Sequence, residues 1–277
     1  SYVNFDVEAE RARFERQGIE ALHGPWPLAL DEVQKHPPVF DQIKAVIDEK
    51  RVPGRYLLTG SVRFSSRKAI RESLTGRIDL LECYPLTLAE AHETKPCRWI
   101  ALLAKKKQNP ELILEAWKKN SWATESTLTG GLEKGGLPGI CFMRDATVRA
   151  KQFSNHIDTL LGRDLQLIIH TRQSLSALRE LLSRICAAQG DPVNYAALAR
   201  TIGTSIPTTQ KLLAAFEGLF LIRRLGDTYY AEDQGLATAA AQFHRAEARL
   251  DTRRALYAEI RSQLGYFHGQ EALLTHH

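Results

Sequence analysis

Leu28-Ala29-Leu30-Asp31-Glu32-Val33-Gln34 is the stretch on which the fold turns. The compact apolar run Pro27 to Leu30 stops abruptly at two carboxylates. Strands of a parallel sheet are buried on both faces and so read as short continuous apolar runs. The chemistry of open α/β sheets gathers at the carboxyl ends of such strands. The stretch is therefore expected to be a buried strand that delivers Asp31 and Glu32 at its end. An acidic pair after an apolar run also describes a helix N-terminus or a surface turn, so the surrounding sequence has to decide.

Upstream, Tyr2-Val3-Asn4-Phe5-Asp6 alternates as a short strand does, and Val7 to Gly18 carries the charges of an exposed helix. Downstream, Val39, Ile43, Val46 and Ile47 recur at helical spacing until Pro53-Gly54. A second apolar run, Arg55-Tyr56-Leu57-Leu58, then ends in the small polar turn Thr59-Gly60-Ser61. Ser65 to Leu74 reads as a helix, and Ile78 to Leu81 as a third buried strand leading to Pro85. Strand and helix in alternation imply a parallel sheet with flanking helices. The pattern stops near His92, and from Trp99 the periodicity is almost wholly helical. A boundary between about residues 94 and 108, near Lys105-Lys106-Lys107, separates an α/β part, 1–100, from a mostly helical part, 101–277.

Within the helical part, Gly130 to Gly139 is expected to form a loop between helices. Tyr195 to Ile202 and Pro207 to Phe220, separated by Gly203-Thr204-Ser205, have helix-turn-helix spacing, with Ser205 as N-cap. A hairpin across Gly226-Asp227 completes a winged-helix outline over about 190–232.

Composition excludes several classes. The 277 residues are 44% hydrophobic and 25% charged, a globular balance. No stretch approaches the length of a membrane span, and the first residues lack the form of a signal peptide, so the expected address is the cytoplasm with no membrane partner. Cys83, Cys97, Cys141 and Cys186 are scattered, with neither zinc nor disulfide spacing, and are expected to be buried thiols. A net charge of +5 is too small to mark nucleic-acid binding by itself.

Hydrolysis of a nucleoside triphosphate needs a metal ion against the phosphates, a group acting on the attacking water, and cations near the transition-state charge. Asp31 can hold Mg²⁺ and Glu32 can act on the water. Ser61, at the end of the next strand, can hydrogen-bond a γ-phosphate or the water, although turn chemistry alone also explains a serine there. Arg77 lies at a sheet edge, where it can reach a phosphate in its own or a neighbouring subunit, or merely form a surface ion pair.

Leu28-Ala29-Leu30-Asp31-Glu32-Val33-Gln34, Pro53-Gly54-Arg55-Tyr56-Leu57-Leu58-Thr59-Gly60-Ser61, Ser73-Leu74-Thr75-Gly76-Arg77 and Pro85-Leu86-Thr87 together resemble a prokaryotic family of AAA+ ATPases with a C-terminal domain of unknown function. The resemblance continues through Gly135-Gly136-Leu137-Pro138, Tyr195-Ala196-Ala197-Leu198-Ala199 and Asp233-Gln234-Gly235-Leu236-Ala237. It implies that Asp31 and Glu32 are Walker B acids, with Asp31 toward Mg²⁺, that Ser61 is the sensor, and that Arg77 is an arginine finger acting through self-association. ATP and Mg²⁺ are the implied cofactors. Full-length members begin with a strand, a G-x-x-x-x-G-K-[ST] loop and a helix that cradles the phosphates. The 277 residues contain no such loop. The expectation is a partial AAA+ sheet without its phosphate-loop strand, binding ATP weakly and inactive alone, taken from a complete ATP hydrolase.

The rival reading is a module without ATPase activity, in which the winged helix contacts DNA or a protein. Arg200 and Lys211 would then face DNA phosphate. Leu212, Leu213, Phe216 and Phe220 are expected to be spent on packing.

Overall fold

The computed structural model describes residues 1–63, 74, 76–95, 98–105, 109–119, 125–243 and 256–265. The chain forms two compact units: one of residues 1–80, 164–170 and 218–220, the other of residues 81–163, 171–217 and 221–277.

The first unit is built on three short parallel strands in the order β1 (Tyr2–Asn4), β2 (Leu28–Asp31) and β3 (Tyr56–Leu58). Tyr2 stands opposite Ala29, which stands opposite Leu57, and Leu30 lies between Val3 and Leu58. Because side chains alternate across a strand, Val3, Leu28, Leu30, Tyr56 and Leu58 share one face. That face packs with Phe14 of helix α1 (Glu8–Gln17) and with Phe40, Ile43 and Val46 of helix α2 (Val39–Glu49) into one apolar cluster. The opposite face carries Tyr2, 60% exposed, Ala29 and Leu57, 56% exposed.

The alternation read from the sequence holds over residues 1–58, where each expected strand and helix forms within a residue or two. It fails at Ile78 to Leu81, which is not a strand. Ile78 packs on the apolar cluster, but Leu80 and Leu81 are exposed. A strand exists only in a ladder, and among the described residues no strand pairs with these; apolar content alone cannot supply the backbone partners. The helix expected from Ser65 lies outside the described residues except at Leu74, which is helical and buried in the same cluster.

Among its described residues the second unit is helical apart from one hairpin. Its helices are α3 (Leu88–Ala91), α4 (Arg98–Leu103), α5 (Pro110–Lys118), α6 (Glu125–Lys134), α7 (Pro138–Cys141), α8 (Ala146–Gly162) and α9 (Leu175–Ala187). There follow α10 (Tyr195–Thr201), α11 (Ile206–Gly218), whose last residue belongs to the first unit, and the antiparallel strands β4 (Ile222–Leu225) and β5 (Thr228–Ala231). Helix α12 (Gln234–Gln242) and a final helix α13 over residues 256–265 complete it. The glycine segment expected as a loop is divided: Gly130 and Gly131 lie inside α6, and only Gly135, at φ 69°, makes the turn. Gly131 runs against Leu88, where a Cβ would collide with the leucine side chain, whereas no neighbour requires a glycine at Gly130.

Asp233 ties this unit together. Its carboxylate accepts from the Gly136 backbone N–H at 2.5 Å and from Leu236 N–H at 2.8 Å, capping α12. Full burial pushes its carboxyl above the usual aspartate range. Glu259 of α13 accepts the Leu88 N–H at 3.0 Å, and burial raises its carboxyl as well. Arg223 and Arg261 each pair with both Glu82 and Glu232. Cys141 and Cys186 are buried, the second with its thiol pushed up to about 12 by desolvation. Cys83 is exposed, contrary to expectation, because it follows the unpaired stretch at Leu81. Cys97 lies outside the described residues.

Candidate functional site

The carboxyl ends of β2 and β3 place the acids and the serine together. Strand pairing continues past the named strands: Thr59 N–H donates to Leu30 C=O at 3.0 Å, and Val33 N–H donates to Thr59 C=O at 3.1 Å. The segments after β2 and β3 are thereby locked side by side, so the side chains at 31, 32, 59 and 61 share one edge of the sheet.

Asp31 accepts from Tyr2 Oη at 2.6 Å through Oδ2 and from Thr59 Oγ1 through Oδ1, and Oδ1 also takes the Glu32 N–H at 3.1 Å. The Thr59 and Tyr2 hydroxyls, with that backbone N–H, hold its carboxyl below the usual range against the opposing effect of burial. Asp31 is thus an ionised, orientated oxygen donor at neutral pH. The Tyr2 hydroxyl moves the other way, raised by the same bond to Asp31.

Glu32 adopts a left-handed backbone, φ 56° and ψ 40°, and none of the glycines that suit it occupies the position. That turn takes the chain sharply out of the strand into the short 3₁₀ turn Val33–Lys35. Its carboxylate accepts from Gln34 Nε2 and from Ser61 Oγ at 3.4 Å. Non-glycine residues held in this region cluster at functional sites, where surrounding structure enforces them.

The expected residues divide. Asp31, Glu32 and Ser61 come together. Arg77 does not join them: its Nε donates to Asp48 Oδ1 at 2.7 Å, near the end of α2. From there the chain passes through Gly54 into the beginning of β3, so Arg77 lies at the amino edge of the sheet, opposite the acids. Arg51, Asp48, Gly76 and Arg77 line a surface hollow of about 330 Å³ there. The sequence reading passed over Tyr2, Thr59 and Gln34. Tyr2 was legible only through the register, which aligns Tyr2 with Ala29 and Asn4 with Asp31; Thr59 and Gln34 were adjacent to residues already chosen.

Magnesium prefers near-octahedral oxygen coordination, keeps several waters and takes only one or two carboxylates beside substrate phosphates. The oxygen donors here fit that pattern. Among the described residues no group of three His, Cys, Asp or Glu side chains forms a self-sufficient metal cage. The set therefore suits a metal ion shared with phosphate.

In the second unit, Arg200 on α10 and Lys211 on α11 are both exposed, while Leu212, Leu213 and Phe216 are buried as expected. The α11 surface around Lys211 presents Ile206, Pro207, Gln210 and Ala214. Ser205 Oγ accepts the Thr208 N–H at 3.3 Å, the expected cap. Among the described residues no helix is long and apolar enough to cross a membrane.

Residues 1–92 match the family model described as an AAA domain, and residues 127–245 match a domain of unknown function (DUF8612). The first part of the chain is accordingly AAA-like and related to ATPases. The uncharacterized protein Rv2008c of Mycobacterium tuberculosis is 23% identical over 220 residues, 79% of this chain. The uncharacterized protein Mb2031c of Mycobacterium bovis matches to the same extent. The chain spans 42% of the length of either relative.

Proposed function

We propose that residues 1–92 carry the metal and water end of an ATP-hydrolysing site, with Asp31 and Glu32 as its Walker B acids. The observation that carries this reading is the joining of Asp31, Glu32, Thr59 and Ser61 at one strand edge, with Glu32 in a left-handed backbone. Bound Mg-ATP would supply the electrophilic phosphorus and the cation that neutralises its charge. Asp31, held by Tyr2 and Thr59, orients its carboxylate toward Mg²⁺. Glu32 accepts a proton from water and aligns it. Ser61 Oγ directs its hydrogen toward a phosphate oxygen or that water. Arg77, at the amino edge, belongs to contact with a neighbouring subunit, where its guanidinium completes the partner's site. A phosphate cradle of the form G-x-x-x-x-G-K-[ST] is not found in these 277 residues.

We read the order α9, α10, α11, β4, β5 as a winged helix whose role is to respond to nucleotide rather than to hold DNA. The exposed side of α11 is largely apolar or neutral around its single lysine, which is a poor footprint for phosphate.

Calorimetric titration of Mg-ATP into residues 1–277, in parallel with a version extended upstream through any G-x-x-x-x-G-K-[ST] loop, tests the reading. Binding by the extended version alone supports it. Binding by neither overturns it and favours an interaction module.

A further inference from the structure

Gln34 lies two residues past Glu32 and is only 1% exposed, although both groups it touches are more open to solvent. Its Nε2 donates to Glu32 Oε2 and, at 2.9 Å, to Ser61 Oγ; Ser61 Oγ in turn approaches the same Glu32 oxygen at 3.4 Å. A carboxylate only accepts, so the amide atom facing Glu32 is the nitrogen, and its two N–H groups serve one acceptor each. The frame beneath it is rigid. Gln34 is the middle residue of the 3₁₀ turn, whose first residue, Val33, is bonded to the Thr59 carbonyl.

We propose that Gln34 is a positioning residue that fixes the Glu32 carboxylate and couples its orientation to Ser61. The proposal rests on the reading of Glu32 as the group acting on water. With Oε2 held, the carboxylate loses rotation about its last bond, and Oε1 is left to face solvent in one direction. When the Ser61 hydroxyl turns toward another acceptor, the Gln34 N–H directed at Glu32 keeps its bond. The aim of the carboxylate then survives the change at the serine. Misplacement of a reacting group by about 1 Å costs on the order of 100-fold in rate, so a fixed carboxylate matters more than a merely nearby one.

The test uses the protein as encoded, with Gln34→Leu, Ser61→Ala, the double variant and Glu32→Gln. Gln34→Leu is expected to lower kcat by about 100-fold while KM and the Kd for Mg-ATP stay within about twofold. The double variant is expected to lose less than the product of the two single losses, because Gln34 and Ser61 contact one carboxylate, but more than Gln34→Leu alone, because Ser61 also serves phosphate or water. A readout independent of turnover comes from ¹⁵N-labelled, nucleotide-free protein. There the Gln34 side-chain NH₂ pair should exchange slowly with water and move in both Glu32→Ala and Ser61→Ala. A merely structural glutamine would give neither the kcat-only loss nor those shifts. Should Gln34→Leu not fold, Gln34→Asn, which retracts the amide by one methylene, is read in the same way. Wild-type kcat in Gln34→Leu beside an inactive Glu32→Gln overturns the proposal alone, as does an NH₂ pair indifferent to Glu32→Ala. Wild-type turnover in Glu32→Gln overturns the reading of the site itself.

Discussion

Glu32 keeps a backbone conformation that an L-residue other than glycine, asparagine or aspartate rarely holds, at a cost of about 1 to 2 kcal/mol and with φ 56°. Strain of this kind is retained where the side chain is needed, which yields a test free of any assay for activity. Glu32→Gly should raise the unfolding free energy by about 1 kcal/mol in urea denaturation, since glycine accepts the conformation without penalty. A less stable glycine variant would show that the contacts of Glu32 with Gln34 and Ser61 outweigh its backbone strain. Glu32→Gln in the complete protein should bind Mg-ATP normally and lose turnover by about 100-fold or more, measured as steady-state phosphate release. Arg77→Ala should also lower turnover with little loss of nucleotide binding, and its effect should be rescued in mixed oligomers that retain some intact Arg77, because Arg77 lies at the sheet edge opposite the acids. Loss of activity without rescue would place Arg77 in a structural pair with Asp48.

At the level of elements, the helix formed by residues 256–265 is held partly by a buried acid. Glu259 reaches the Leu88 N–H, and its carboxyl is raised above the usual glutamate range chiefly by desolvation. An acid raised in the folded state binds its proton more tightly there than in the unfolded chain. Its contribution to stability therefore improves as pH falls through the folded value and becomes unfavourable above it. Glu259→Gln keeps an acceptor for Leu88 without the charge. It should gain stability relative to the native chain at pH 8 compared with pH 4.5, as read from melting temperatures at both; an equal difference at the two pH values would mean that Glu259 does not titrate in this range. The elements themselves were legible to different degrees. Continuous apolar runs at 28–30 and 56–58 became strands because each had a neighbour to pair with. Ile78 to Leu81 carries the same signal and formed none, since local apolarity does not reveal whether a ladder partner exists. The acids Asp31 and Glu32 were visible from the abrupt end of an apolar run. Tyr2 was hidden, because its approach to Asp31 depends on strand register across 29 residues of sequence. Arg77 was visible as a cation at a sheet edge, but its edge followed only from its pairing with Asp48.

At the scale of the whole molecule, the first unit presents an incomplete sheet. Parallel sheets are normally covered on both faces; here α1, α2 and Leu74 pack on the Val3, Leu30 and Leu58 face, while Tyr2 and Leu57 on the opposite face are exposed. Among the described residues β3 pairs only with β2, and no described strand covers its other edge, beside which Leu57 is exposed. Such an edge invites association. Leu57→Lys should shift residues 1–277 toward the monomer in sedimentation velocity, and an unchanged distribution would show that this edge is not the sticky surface. The three-stranded sheet and the second unit also differ in when their residues have all been made. The first sheet needs only the residues up to Leu58, while the second joins Leu88 to Glu259, 171 residues later, and Glu82 to Arg261, 179 residues later. At about 5 to 20 residues per second of synthesis, the ribosome takes on the order of 10 to 30 s to cover that interval. Throughout it Leu88 waits for Glu259, and within it Gly136 waits for Asp233, 97 residues later. A nascent chain stalled before residue 259 would expose these surfaces to chaperones and proteases, with its three-stranded sheet already laid down.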